Sequence, residues 1–444
     1  MQEDSIEREA RGFVAAFNDG SLMEARFQRW RQLLGEVQLK RISKGLDGRP
    51  VAWLRGEISR GWIGVQIRLD SATALLNRNA APVFWTGGGP PASLLGKPSK
   101  VRDDAHVTDS LRAYFTSMAR LDLFSGVVIV SRGNNILFEG AFGMAHQQSH
   151  LPNTMGTRFA LASVGKVFTA VAVLRLVQEG KLSLTDTVGA YIPDYPVPEA
   201  RRARIDQLLT HTAGLGDSDL DWIAMREDRS LAQLVRVALP RWLGEGAGPQ
   251  YNNEAFLIAG RIVEIAAGES YESWVRRCIF GPAKMRATGW DRIDEDVQNR
   301  AVPYSNLQFI SGGGQQFVPG PRRDVTSMQG LRGTPAGGAV STAGDLLRFA
   351  DALLSRQLLD DQHTRQLLTV EARTPIGLAY AYGFEMSEWE PVRAGKGGNA
   401  QGSSAQFDLY LSEDVRVVLL SNFDGASQVA AQGIREILGL SVLR

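Results

Sequence analysis

The 444-residue sequence predicts an α+β protein, an antiparallel sheet flanked by helices beside a helical lobe, preceded by a small α+β domain. Three observations predict it. Strand-like apolar runs stand near both ends of the region from 105 to 444, with helical segments between them. A Gly-, Pro- and Lys-rich stretch at 81–104 changes the texture of the chain and reads as a linker, which leaves residues 1–80 as a separate domain. The composition, 44% hydrophobic and 22% charged, is that of a chain able to bury a large core.

The first domain opens with a helical rhythm (Ile6, Phe13, Val14, Phe17, then Leu22, Phe27, Trp30, Leu33, Leu34), broken at Asn18-Asp19-Gly20. The period then changes to two, through Val37, Leu39 and Ile42 and most clearly through Ile63, Val65, Ile67 and Leu69. Two helices followed by a curling sheet resemble nuclear-transport-factor-2-like modules, so this domain is expected to serve oligomerisation or substrate gating. In the linker, Gly87-Gly88-Gly89 is followed by prolines and lacks the Gly-Lys-Ser/Thr of a phosphate loop.

The second region begins with a helix over Asp109 to Leu121. A hairpin follows, with strands Gly126 to Ser131 and Ile136 to Phe138 around the turn Arg132 to Asn135. An apolar helix is expected at 163–179, stopped by Gly180. Further helices are expected at 205–210, 230–238, 253–267, 270–278, 343–355 and 362–369. The chain then returns to strands at Ala405 to Leu411 and Val415 to Leu420, and ends on a helix from Ser427 to Leu438. Strands at both ends with helices between imply one sheet beside an inserted lobe, with a cleft at the junction.

Several function classes find no support. A net charge of +1 offers nothing to nucleic acid. One cysteine, Cys278, excludes an intramolecular disulfide framework and a Cys-rich metal site. His146 and His150 have no carboxylate to complete a site, so no metal and no cofactor are expected. No apolar run reaches the length of a membrane span. The polar start Met1-Gln2-Glu3-Asp4 is no signal peptide, which implies a cytoplasmic protein as the sequence stands, or a periplasmic or secreted one had a leader been removed.

Three short segments carry chemistry. Ser163 and Lys166 open the apolar run that continues through Val167, Phe168, Val171 and Leu174. At this spacing on a helix the ammonium reaches the hydroxyl, and a first-turn position favours developing negative charge. Alone, the pair is better read as a capping serine and a solvated lysine. Tyr251-Asn252-Asn253 sits between a Gly/Pro loop and an amphipathic helix, where nearby cations would favour the phenolate and let it act as a base. Tyr304-Ser305-Asn306 has the same form, but precedes a long Gly-rich loop instead of a corner that would fix it. Lys396-Gly397-Gly398-Asn399 is the only Lys-x-Gly of the chain, read here as the start of an edge strand that a substrate can approach closely. The bland alternative is a turn with an exposed lysine.

In this order the segments resemble the serine β-lactamase and penicillin-binding-protein superfamily, on the branch with class C β-lactamases, DD-peptidases and family VIII carboxylesterases. Leu208-Leu209-Thr210-His211-Thr212-Ala213-Gly214-Leu215 and Gly337-Gly338-Ala339-Val340-Ser341-Thr342 also resemble segments of that family. The resemblance covers about 105 to 444 and implies a β-lactamase/transpeptidase-like fold for that region. It further implies Ser163 as acylated nucleophile, Lys166 as its proton partner, Tyr251 as general base and later acid, and Asn253 as a holder of Lys166 and substrate. Lys396 would lower the Tyr251 pKa, the N–H groups of Ser163 and Asn399 would form the oxyanion hole, Gly397 and Gly398 would border the substrate, and His211 would be structural. Gly397 replaces the usual Thr or Ser, which weakens a penicillin or D-Ala-D-Ala reading, whereas Lys396 leans toward the lactamase side. The expectation is a metal-independent serine hydrolase of esters or related small acyl compounds, working through an acyl-serine. The alternatives are a β-lactamase or D-amino-acid-specific peptidase, and a catalytically silent binding protein. A homo-oligomer built through the first domain is also expected.

Overall fold

The computed structural model describes residues 2–21, 31, 34–44, 50–57, 62–66, 82–83, 95–96, 103–217, 226–310, 314–317, 321–373, 379–387, 392–440 and 442–443. The expected second helix of the first domain (around Phe27 and Trp30), Leu69, and the Gly87–Pro91 and Lys97–Lys100 stretches lie outside them.

Near the N-terminus, helix α1 (Gln2–Asp19) packs on an antiparallel sheet of β1 (Val37–Lys44), β2 (Pro50–Gly56), β3 (Trp62–Gln66) and β4 (Pro82–Val83). The helical period brings Ala10, Phe13 and Phe17 to one face of α1, where they close a small core with Leu34, Val37, Ala52 and Leu54. Asn18 ties the end of α1 to β1: its side chain both donates to the Val37 carbonyl (3.0 Å) and accepts from the Val37 N–H (2.8 Å).

The larger body is a three-layer sandwich. In chain order its main elements are α2 (Asp104–Arg120), β5 (Gly126–Arg132), β6 (Asn135–Phe142), α3 (Lys166–Gln178), α4 (Glu254–Ala267) and α5 (Ala343–Leu354). Then come β7 (Ala372–Arg373), β8 (Ala379–Tyr380), β9 (Glu385–Ser387), β10 (Arg393–Ala400), β11 (Ser403–Tyr410), β12 (Val415–Ser421) and α6 (Ala426–Ile437). The eight-stranded sheet runs β7-β8-β9-β10-β11-β12-β5-β6, antiparallel throughout. The first hairpin is thus joined to the last strands, with Val127 opposite Leu420 and Ile129 opposite Val418.

Strand alternation sorts the core. Val127 and Ile129 of β5, with Val418 and Leu420 of β12, face α3, α4 and α5. Their neighbours Val128, Val130, Val417 and Leu419 face α2 and α6. A sheet covered on both faces accounts for the unbroken apolar runs in β5 and β12. α3 is apolar all round because it lies inside the body, and it ends as expected: Gly180 takes a left-handed φ of 66°, with Gly180 N–H on Val177 O (2.9 Å) and Lys181 N–H on Leu176 O (2.9 Å).

Two local expectations are corrected. The α-helix starts at Lys166, and Ser163 lies in a preceding 3₁₀ turn, Ala162–Gly165, instead of in the helix's own first turn. Lys396 does not begin an edge strand. It is the fourth residue of β10, which pairs with β9 through Arg393, Ala394 and Gly395 and with β11 along its whole length. Gly395, Gly397 and Gly398 disfavour a strand by propensity, and pairing with β11 overrides that preference. Because β9 stops short, the edge is open only from Lys396 onward.

Candidate active site

The nucleophile turn is held by close backbone contacts. Leu161 N–H bonds to Ala339 O (2.8 Å), and Gly338 N–H to Ala162 O (3.0 Å). Ala162 has a φ of 45°, a left-handed conformation uncommon for a side-chain-bearing residue, and it turns Ser163 toward the cavity. Two glycines permit this packing: a Cβ on Gly337 would stand 2.4 Å from Ala162 O, and one on Gly398 would stand 2.3 Å from Leu161 O.

Lys166 is fully buried, and its three ammonium donors meet three acceptors: Ser163 Oγ (3.3 Å), Asn253 Oδ1 (2.7 Å) and Ala336 O (2.5 Å). Tyr251 Oη lies 2.6 Å from Ser163 Oγ, so the hydroxyl stands between phenol and amine. Tyr251 is placed by the start of α4. Asn252 Oδ1 accepts from Ala255 N–H (2.7 Å) in the manner of an N-cap, and the Asn252 N–H donates to His211 Nδ1 (3.2 Å). The His211 ring lies under the Tyr251 ring, centroids 4.6 Å apart. Burial, then the positive charges of Lys396 and Lys166, hold His211 far below the usual histidine pKa, so it is neutral with Nδ1 as acceptor.

Lys396, also buried, lies with Nζ 4.8 Å from the centre of the Tyr251 ring, and Lys166 Nζ is at 4.9 Å. Lys396 donates to Glu385 Oε1 (2.9 Å). Burial disfavours its ammonium, but the Glu385 carboxylate, then Tyr251, outweigh burial and raise its pKa above the ordinary lysine value. Burial likewise lowers the Lys166 pKa. For Tyr251, burial alone would raise the phenol, yet the charges of Lys166 and then Lys396 outweigh it and bring it below its ordinary value. A tyrosine lowered between two amines, within hydrogen-bond reach of a serine hydroxyl, is equipped to take that proton.

The cavity above this cluster encloses about 470 Å³ and is lined by Ser163, Tyr251, Asn253, Asp217, Leu257, the 329–338 segment and the β10–β11 turn including Asn399. The structure therefore brings Ser163, Lys166, Tyr251, Asn253 and Lys396 together, with Asn399 at the rim. Gly397 and Gly398 do not line the cavity. Gly398 packs against the nucleophile turn, and Gly397 faces the other side of the sheet, where a Cβ would meet Gln406 Oε1 at 3.2 Å and Gln428 Nε2 at 3.5 Å. Tyr304 is elsewhere, its Oη accepting from Gln147 N–H (2.8 Å). Sequence reasoning missed Glu385 and the Ala336 carbonyl. The Gly337-Gly338 pair marked the second segment, and nothing marked the first.

Among the described residues no cluster of three or more His, Cys, Asp or Glu could hold a metal, and no helix is long and apolar enough to cross a membrane.

A family model described as Beta-lactamase matches residues 112–440. The chain is 26% identical over 332 residues to penicillin-binding protein 4* of Bacillus subtilis (strain 168), covering 70% of this chain and 71% of that protein. It is 33% identical over 227 residues to esterase EstB of Burkholderia gladioli, covering 46% of this chain and 57% of that one. The crystal structure of a penicillin binding protein from Bacillus halodurans superposes with a TM-score of 0.62 at 24% identity, covering 76% of this chain and 100% of that one. With its fold, its serine, amines and phenol converging on one cavity, and a family match over residues 112–440, the chain belongs to the β-lactamase family.

Proposed function

We propose that this serine hydrolase cleaves carboxylic esters, with Ser163 as the acylated residue. The observation that carries the reading is the Ser163 hydroxyl, held 2.6 Å from Tyr251 Oη and 3.3 Å from Lys166 Nζ at the floor of an open cavity. In the reaction the Tyr251 phenolate takes the Ser163 proton while Oγ attacks the acyl carbon. The negative charge that develops on the acyl oxygen meets the N–H groups of Ser163 and Asn399, in a role worth roughly 3–4 kcal/mol per donor in other hydrolases. The ester C–O bond then breaks and the leaving alcohol takes the proton from Tyr251. Water attacks the acyl-serine, gives its proton to Tyr251, and releases the carboxylic acid as Ser163 regains its own. Lys166 keeps the phenolate charged, Asn253 keeps Lys166 in place, and Lys396 adds a second positive charge beneath the ring.

The esterase reading is supported by likeness to a relative named an esterase. A chromogenic acyl ester should give a burst of product followed by slower turnover. The intact mass should rise by one acyl group located at Ser163, and Ser163→Ala should abolish both; absence of any adduct would overturn the reading. Lys396 favours a second reading, a β-lactamase or D-amino-acid-specific peptidase, and relatives named penicillin-binding proteins agree with it. Nitrocefin turnover equal to ester turnover would decide for it. Residues 1–80 act in this proposal as an accessory module for oligomerisation or gating. Their deletion should change the mass in solution or the kinetics.

A further inference from the structure

The charges around the cavity are unevenly committed. Every cation at its wall already has a partner. Lys166 is saturated by Ser163, Asn253 and Ala336, and Lys396 is paired with Glu385. Arg300 donates to the Arg292, Ile293 and Glu295 carbonyls at 2.5–2.9 Å, and Arg332 is paired with Asp228. A substrate carboxylate would therefore find no free positive charge among the described residues.

Asp217 is the opposite case. It lines the cavity, and among the described residues its carboxylate accepts one long bond, from Asn253 N–H at 3.4 Å. It makes no ion pair among the described residues. The nearest exposed cation, Arg241, gives its Nε to the Asp217 main-chain oxygen (3.0 Å) instead of the carboxylate. Asn253 thus joins both: its side chain holds Lys166 and its N–H touches Asp217, which places this carboxylate beside the reacting centre. Although Asp217 is exposed, desolvation and then the neighbouring Glu254 raise its pKa, against the opposing pull of the Asn253 N–H, Lys166 and Arg241.

We propose that Asp217 selects acyl donors that carry an ammonium group close to the scissile carbonyl. The inference rests on the hydrolase reading and narrows its substrate class to aminoacyl esters and amides. A bound ammonium supplies Asp217 with an ion-pair partner, whereas a carboxylate at the same place sets a second negative charge beside it.

Three methyl esters of nearly equal shape test it, followed by titration of released acid. These are alanine methyl ester in both enantiomers, methyl isobutyrate, and the monomethyl ester of methylmalonate, which carry an ammonium, a methyl and a carboxylate. The expected order of kcat/KM is ammonium over methyl by tenfold or more, with the carboxylate ester lowest. Asp217→Asn, which keeps the shape and the contact with Asn253, should lower the ammonium-to-methyl ratio severalfold, mainly through KM for the ammonium ester, leaving the part of the ratio that comes from inductive activation of the ester by its ammonium. Asp217→Glu should restore part of it. Labelling of Ser163 by a fluorophosphonate shows that each variant is folded. A ratio near one in the unmodified enzyme, or an unchanged ratio in Asp217→Asn, overturns this inference and leaves the esterase reading standing. If no ester is turned over and Ser163 takes no label, the hydrolase reading itself fails.

Discussion

Two buried polar clusters sit on opposite faces of the same strand, three residues apart along β10, and they are built differently. On the α6 side, Asp408 is 1% exposed and joins Arg393 (2.6 Å) and Arg435 (3.0 Å), while Gln406 Nε2 donates to it (2.6 Å) and Arg435 Nε donates to Tyr410 (2.7 Å). On the α3 side stand Lys166, Lys396, Tyr251 and Ser163. Both clusters hold a tyrosine next to cations, Tyr410 buried and Tyr251 partly exposed at the cavity. Burial, with Asp408 behind it, pushes Tyr410 up to about 12 against the pull of Arg435, whereas Tyr251 is lowered. What separates them is how closely the anion is held: Asp408 bonds both arginines beside Tyr410, whereas Glu385 bonds Lys396 alone and Asp217 acts on Lys166 through its charge. Arginine keeps its proton under any ordinary condition and suits a fixed joint. Lysine exchanges protons when buried and suits a site where charge must move.

The sharpest way to break this comparison is to remove each phenol. Tyr251→Phe should lower kcat by about 10²–10⁴-fold, the range of a lost general base, and Tyr410→Phe should leave kcat close to that of the unmodified enzyme. Equal effects in steady-state kinetics would erase the distinction.

Stability should show the reverse asymmetry. Asp408→Asn strands two buried guanidinium groups and should cost about 3–5 kcal/mol in urea unfolding, the usual penalty for breaking a buried pair. Burial works to raise the Asp408 pKa, but Arg393 and Arg435 hold it below the ordinary carboxylate value. Its contribution is therefore full above about pH 4, the unfolded value, and is lost as pH falls toward the lower folded one. An unfolding free energy that Asp408→Asn leaves unchanged would count against a structural joint.

A smaller effect sharpens the role of Lys396. Tyr251 serves as base only when ionised, so kcat/KM should fall as pH drops through its pKa. Replacing Lys396 by Met together with Glu385→Gln removes a positive charge without stranding a carboxylate. The acidic limb should then move to higher pH by roughly one unit, the low end for a charge at this range. A limb that stays in place, or moves down, would show that Lys396 does not tune the phenol.

Much of this was readable beforehand, for reasons that also explain the rest. Helices with apolar faces and strands with β-branched runs declared themselves, since burial writes its period into the sequence. The serine, tyrosine and lysine segments were legible because their chemistry needs particular side chains. Ala336 was not, because a carbonyl that holds Lys166 can come from any residue. Glu385 was hidden in a three-residue strand, and only the pairing of that strand with β10 brings it near Lys396. The placement of Ser163 in a 3₁₀ turn escaped notice because the spacing of three fits either helix. Lys396 was misplaced because its glycines mimic a turn.

The pairing of β5 with β12 has a consequence for biosynthesis. A strand that leaves the ribosome early waits for one made nearly three hundred residues later, from 126 to 421, before its open side is filled. Contacts of such sequence separation form slowly. The nucleophile turn and its lysine are translated long before β10 can wall them in, so the nascent chain carries its reactive serine without a working pocket, and hydrolysis begins only once the sheet has closed.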